Sequence, residues 1–90
     1  MKRMSSYREL YEYLLSLATI LKERKMDELS EAVRFASAHA ASNISTEFLG
    51  ESRIALRRVS NEENGILTNE ERADLLEVVN QIDEAFKQKQ

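Results

Sequence analysis

The stretch ENGILTNEE, residues 63–71, shows most directly how this chain is built. Asn64 and Gly65 both tolerate the left-handed backbone conformation that ends helices. Further on, Thr68 and Glu71 have the spacing of a capping box, in which each side chain accepts a hydrogen bond from the backbone amide of the other residue. The segment therefore predicts the end of one helix, a short link and the start of the next.

Apolar residues recur every three or four positions on both sides of this link, which is the period of amphipathic helices. Ser6 and Glu9 form another capping box. The sign of the charge reverses between Lys25 and Asp27, which predicts a helix boundary there with Asp27 as an N-cap. A Ser-Asn pair at 42–43 predicts the end of the second helix. These signals together predict helices over residues of about 7–25, 28–42, 46–62 and 69–87.

The predicted fold is an all-α, antiparallel four-helix bundle that forms one domain over residues 1–90, because short links place amphipathic helices side by side. The chain contains no proline, no cysteine and two glycines, and 32% of its residues are charged. This composition argues against a disulfide scaffold, a cysteine-based zinc site and a turn-rich β fold. The longest mostly apolar run, residues 13–21, is too short for a membrane span of about 20 residues. A chain without cysteine suits the cytoplasm, so we expect a cytoplasmic protein.

Charge is distributed unevenly along the chain. Residues 1–26, 27–42, 43–62 and 63–90 carry net charges of +3, −2, 0 and −4, which sum to −3. A pI near 5.2 argues against a nucleic-acid-binding surface. Four carboxylates of the last predicted helix lie on one side of it, at Glu70, Asp74, Glu77 and Glu84. This acidic row is explained by a solvated helix face, and a docking strip for a basic protein is the alternative.

No arrangement of residues in the sequence marks an active site, a metal site or a cofactor site. His39 is the single histidine, and no carboxylate lies three or four residues from it, as helical metal sites require. No serine near His39 comes with a third group that would orient a catalytic base, and the two glycines do not form a phosphate loop. We therefore expect a non-catalytic protein that has no cofactor and no metal.

The first predicted helix is apolar over about 220° of its circumference, whereas one core-facing stripe needs about 100°. Either this helix is the central one of the bundle, or Tyr13, Leu17 and Ile20 form a second face that meets another chain. Tyrosine suits both places, since its ring is apolar and its hydroxyl is polar. The second alternative predicts a homodimer.

Two further apolar residues lie off the stripes of their helices. Phe35 lies about 100° from the stripe of the second helix, one turn before His39, so the two rings are expected to stack unless Phe35 packs beneath another helix. Ile54 lies nearly opposite the stripe of the third helix, with Arg57 and Arg58 beside it. Arginines around an aliphatic side chain are typical of protein interfaces, but a single exposed isoleucine is also ordinary.

Three functions follow from these observations. The first, which the sequence favours, is a non-catalytic protein-protein interaction module that self-associates and uses Tyr13, Leu17, Ile20, Phe35, His39, Ile54, Arg57 and Arg58 for binding. The second is a small acidic inhibitor, such as an immunity or antitoxin-type protein, that blocks a basic enzyme with the acidic row. The third is a helix-turn-helix of the second and third helices in which Arg53, Arg57 and Arg58 read DNA, and the acidic total argues against it.

Overall fold

Four amphipathic helices and their links account for the architecture. The computed structural model describes residues 7–41 and 45–88, and these contain no strand. The helices are α1 (Tyr7–Glu23), α2 (Asp27–Ala38), α3 (Ser45–Glu62) and α4 (Asn69–Gln88), and a 3₁₀ turn, His39–Ala41, continues from α2. An all-α four-helix bundle is therefore confirmed. The predicted helix bounds hold within two residues except at the end of the second helix, where the regular α-helix stops earlier. No helix within the described ranges combines the length and the apolar character needed to cross a membrane.

All four helices contribute to one apolar core. Its large buried side chains lie on one face of each helix: Leu10, Leu14, Leu17 and Leu21 of α1, Leu29 and Val33 of α2, Phe48, Leu49, Leu56 and Val59 of α3, and Leu75, Val78 and Ile82 of α4. Each helix packs against the next one in the chain. The antiparallel order remains a prediction, and it agrees with the contacts of Arg53 with the ring of Phe86 and of Arg57, later in α3, with Asp83, earlier in α4.

The link between α1 and α2 is built without glycine or proline. Lys25 has a positive φ of 69°. Its amide donates to the carbonyl oxygen of Lys22, and the amide of Met26 donates to that of Leu21, at 3.1 and 2.8 Å. This pair of bonds is a Schellman motif, which satisfies carbonyl groups at a helix C-terminus. Met26 thereby occupies the N-cap position of α2, so the prediction that Asp27 is the N-cap is wrong, and Asp27 is the first helical residue.

The link between α3 and α4 follows the sequence prediction. Asn64 and Gly65 have positive φ values of 52° and 82°. The amide of Thr68 donates to Glu71 Oε1 at 2.8 Å, and the amide of Glu71 donates to Thr68 Oγ1 at 3.1 Å, which completes the capping box. The other predicted capping box, at Ser6, and the predicted stop at 42–43 lie outside the described residues.

Candidate interaction surface

The wide apolar arc of α1 is covered within the chain. Leu17 has 3% of its surface exposed and is a core residue, while Tyr13 and Ile20 are half-buried and pack against the core. Burial raises the pKa of the Tyr13 hydroxyl, and the nearby carboxylates of Asp74 and Glu71 raise it further. This corrects the expectation that Leu17 contacts another chain, because the bundle itself already covers that side chain.

Phe35 is the most exposed large apolar side chain in the described part of the chain, at 64%. The alternative that it packs beneath another helix is therefore wrong. The expected contact with His39 is confirmed, since the two ring centroids lie 5.0 Å apart with the ring planes at 71°. His39 Nδ1 also lies 3.1 Å from the carbonyl oxygen of Phe35. The histidine thus holds the phenylalanine ring at the surface.

Ile54 is exposed to nearly the same extent, at 63%. The arginines beside it are engaged by carboxylates of the neighbouring helices. Arg57 Nη2 lies 3.1 Å from Asp83 Oδ2 of α4, and Arg58 Nη2 lies 3.7 Å from Glu28 Oε2 of α2. These arginines therefore connect α3 to its neighbours on two sides, and Arg57 is directed towards α4.

Two ion pairs join α2 to α3 at opposite ends of the helix pair. Arg58 and Glu28 form the first, and the second places His39 Nε2 3.9 Å from Glu47 Oε1. The histidine pair carries charge on both sides only when His39 is protonated. Both pairs are partly exposed to solvent, so they mark the outer surface of the helix pair rather than its core.

Phe35 and Ile54 lie on the outer surface between these two ion pairs. At 100° per residue around the helix, Phe35 lies within about 40° of Glu28 and of His39, which directly follows α2. On α3, Ile54 lies within about 40° of Arg58 and Glu47. The two pairs are eleven residues apart on both sides. Counting residues from one pair to the other places Phe35 at the level of Glu51 along the helix axes, and Ile54 at the level of Ala32. At 1.5 Å per residue, the levels of Phe35 and Ile54 differ by about 4.5 Å along the helix axes. The two most exposed large apolar side chains of the described ranges therefore lie at similar levels on the outer surfaces of neighbouring helices.

Two carboxylates lie near Phe35 and Ile54. Glu31 is exposed and lies one turn before Phe35, and Glu51 is half-buried and lies one turn before Ile54. Neither carboxylate has an ion-pair or hydrogen-bond partner among the described residues. We name the surface formed by Glu31, Ala32, Phe35, Glu51 and Ile54 the α2–α3 face. It combines exposed apolar groups with two carboxylates that have no partner in the described part of the chain.

Phe35 and Ile54 were predicted from the sequence as separate contact residues, whereas Ala32 and the two carboxylates of the α2–α3 face were not predicted. The spacing was visible, since Glu31 precedes Phe35 by one helical turn and Glu51 precedes Ile54 in the same way. Spacing within a helix cannot show that α2 and α3 bring the two carboxylates to one surface. It also cannot show which carboxylates of a helix find a basic partner.

The acidic row lies on α4, a helix that does not contribute to the α2–α3 face. Glu70, Glu77 and Glu84 are exposed, and Asp74 is half-buried. The side-chain amide of Gln81 donates to Glu77 Oε1 at 3.3 Å. Three of the four predicted carboxylates are therefore available to solvent, as both a solvated face and a docking strip require.

A cluster at the link between α3 and α4 was not predicted as a unit. Arg24, after α1, donates to both carboxylate oxygens of Glu71 at 2.5 and 2.9 Å and to the carbonyl oxygen of Ile66 at 3.0 Å. The bonds from Arg24 to the Glu71 carboxylate, followed by the bond from the Thr68 amide, lower the pKa of Glu71 to about 2. Because Arg24 and Glu71 are far apart in sequence, no local spacing could reveal the contact.

Glu63, in the same cluster, is a carboxylate with 5% of its surface exposed. Arg72 Nε donates to Glu63 Oε2 at 2.8 Å, and the amide of Leu67 donates to Glu63 Oε1 at 3.0 Å. The bond from Arg72, and then that from Leu67, lowers the pKa of Glu63. The cluster uses its charged groups internally, so we assign it to the fold rather than to binding.

Comparison with other proteins identifies no relative of this chain. No protein-family model, no curated protein and no solved structure matches it significantly.

Proposed function

We propose that the chain is a non-catalytic protein-protein interaction module whose binding surface is the α2–α3 face. One observation carries the proposal: Phe35 and Ile54, exposed by 64% and 63%, are the most exposed large apolar side chains of the described residues, and they lie on the neighbouring helices α2 and α3. Burying a large apolar side chain lowers the free energy, and exposed apolar side chains near each other are typical of contact sites. Phenylalanine and isoleucine offer packing rather than a nucleophile or a base, which is why the proposal is a binding role.

Self-association is the form of binding that the sequence favours. Leu17 is not available for it, since the core covers this side chain. If the chain forms a homodimer, the α2–α3 face is the surface with the exposed apolar groups that a symmetric interface needs.

Light scattering over a range of concentrations tests this form of the proposal, with the double variant Phe35→Ser/Ile54→Ser and the control Tyr11→Ser/Leu76→Ser. The control removes two other exposed apolar side chains. A mass near twice 10.4 kDa that falls to 10.4 kDa only in the first variant would identify a second copy on the α2–α3 face. A mass of 10.4 kDa at every concentration would end the homodimer prediction and leave a different protein as the partner.

A small acidic inhibitor is the second candidate function, because Glu70, Glu77 and Glu84 are exposed along α4. In this case a basic enzyme would bind the acidic row through long-range attraction. Such binding weakens sharply when salt rises from about 0.1 M to about 1 M, because the Debye length falls from about 10 Å to about 3 Å. Binding that does not respond to salt would contradict this candidate.

DNA binding receives no comparable support. The three arginines expected to read DNA all pair with carboxylates of the chain: Arg53 and Arg57 with Asp83, and Arg58 with Glu28 and Glu62. Phosphate contacts would have to compete with these intrachain carboxylates.

A further inference from the structure

We infer that the α2–α3 face binds a cationic amphipathic helix of another protein, with apolar side chains seated around Ala32 and with Lys or Arg side chains beside Glu31 and Glu51. The inference rests on the proposed function, since it names the partner of the same surface. The shape of the face and its charge both point to this partner.

The apolar part of the face suits the apolar stripe of a helix. Phe35 on α2 and Ile54 on α3 are the two most exposed large apolar side chains of the described residues, and Ala32, one turn before Phe35, is small and half-buried. The levels of Phe35 and Ile54 differ by about 4.5 Å along the helix axes. A helix lying along the line between α2 and α3 presents apolar side chains at i, i+3, i+4 and i+7 to both of them.

The charge of the face is negative and uncompensated. Glu31 and Glu51 have no ion-pair or hydrogen-bond partner in residues 7–41 and 45–88. Arg58, at the border of the face, is already held by Glu62 at 3.1 Å and by Glu28 at 3.7 Å. A partner with Lys or Arg side chains would therefore form ion pairs with these carboxylates. By excluding water from the contact, it would strengthen the attraction.

A second copy of the chain fits this surface less well. Arg34, the one basic residue of α2, lies about 100° around the helix from Phe35. Arg57 is held by Asp83 on the α4 side of α3. Two copies docked through their α2–α3 faces would set carboxylates against carboxylates, and like charges placed together at an interface disfavour that partner. The charge of the α2–α3 face therefore favours a cationic partner over a second copy on this surface.

The test uses three helical peptides with the same leucine stripe at i, i+3, i+4 and i+7, whose flanking residues are lysine, glutamine or glutamate. Their affinities for the full chain are measured by fluorescence anisotropy at low ionic strength. The lysine peptide should bind on the order of tenfold more tightly than the glutamate peptide, with the glutamine peptide between them, since two partly exposed ion pairs are gained and repulsion is avoided. Binding of all three should be lost in Phe35→Ser/Ile54→Ser.

Two matched variants locate the charge that the peptides recognise. Glu31→Gln/Glu51→Gln should bring the affinities of the lysine and glutamate peptides together. Glu70→Gln/Glu77→Gln removes the same net charge from α4 and should leave the preference for lysine intact. All four carboxylates are exposed or half-buried, and thermal unfolding followed by circular dichroism checks that both variants fold.

The remaining outcomes separate the inference from the proposed function. Loss of the lysine preference in the α4 variant alone would overturn the inference in favour of the acidic row. Equal binding of all three peptides that still requires Phe35 and Ile54 would overturn the cationic partner while the proposed interaction surface stands. Absence of any binding that depends on Phe35 and Ile54 would overturn both. A homodimer that the lysine peptide cannot displace would identify a second copy as the occupant and also overturn the inference.

Discussion

The α3–α4 link and the α2–α3 face are both rich in carboxylates, but they treat them in opposite ways. At the link, Glu63 and Glu71 are each held by an arginine, and their pKa values are lowered by those hydrogen bonds. On the α2–α3 face, Glu31 and Glu51 have no partner among the described residues, and exposed apolar groups lie beside them. A charged group satisfied inside the chain stabilises the fold, whereas one left in water beside apolar surface remains available for binding.

Among the charged residues, the largest effect is expected from Glu63→Ala. This change leaves the guanidinium of Arg72 and the amide of Leu67 without their acceptor at a site where Glu63 is 5% exposed. Loss of one partner of a buried charged hydrogen bond should lower the free energy of unfolding by about 2 kcal/mol. Urea denaturation measures it.

The neighbouring Glu62→Ala serves as the control for that experiment. Glu62 is exposed and pairs with Arg58 on the helix surface. Its removal should change the free energy of unfolding by less than about 0.5 kcal/mol. Equal losses of unfolding free energy in Glu62→Ala and Glu63→Ala would show that the hydrogen bonds of Glu63 stabilise the fold no more than a surface ion pair does.

Acid should weaken the link through Glu71, whose pKa is lowered from 4.5 to about 2 in the folded chain. Between these two pH values the unfolded chain binds the proton and the folded chain does not, so stability is lost as the pH falls through this window. In Arg24→Met, the largest cause of the lowered pKa is removed. The variant should therefore be less stable than the unchanged chain at neutral pH, and the difference should shrink as the pH approaches 2.

Denaturant unfolding at a series of pH values measures this dependence, and Lys22→Met is its control. Lys22 is an exposed residue in the last turn of α1, so the control removes one positive charge from the same helix end. A steeper loss of stability with acid in Arg24→Met than in the unchanged chain would reverse the predicted sign.

The two regions also differ in how much of them could be predicted from sequence. The helices and the capping box at Thr68 depend on residues within one or two turns of each other, and these predictions hold. The contact between Arg24 and Glu71 depends on how α1 and α4 come together, which no local spacing contains. The same reason explains why Leu17 was expected at an interface and lies in the core.

The α1–α2 link shows a different limit of sequence patterns. Lys25 adopts a conformation that glycine or asparagine usually takes, so its identity gives no signal for the Schellman motif. The charge reversal located the link correctly but shifted the N-cap from Met26 to Asp27. On the α2–α3 face the position of Phe35 off the stripe left both exposure and burial beneath another helix open. Nothing in the sequence indicated that Glu31 and Glu51 have no partner among the described residues.

A moderate gain in stability is expected on the side of α3 that faces α4. A Cβ added at Gly50 would lie 3.8 Å from Phe86 Cζ, which is ordinary van der Waals contact. Gly50→Ala should therefore raise the free energy of unfolding by about 0.5–1 kcal/mol, because alanine loses less conformational entropy in a helix. Thermal unfolding by circular dichroism measures the gain. A loss instead would mean that this side of α3 is as tightly packed as the core.

The smallest effect on stability is expected from Phe35→Ser/Ile54→Ser. A small effect would distinguish the α2–α3 face from the α3–α4 link, whose side chains stabilise the fold. Side chains exposed by 64% and 63% contribute little to the core, so each substitution should change the free energy of unfolding by less than about 0.5 kcal/mol. Leu75→Ala, at a side chain with no exposed surface, is the contrast and should cost about 2–5 kcal/mol. If the double variant proved as damaging as Leu75→Ala, Phe35 and Ile54 would be part of what holds α2 to α3. Their exposure would then be a consequence of how α2 and α3 pack, and it would not support a binding surface.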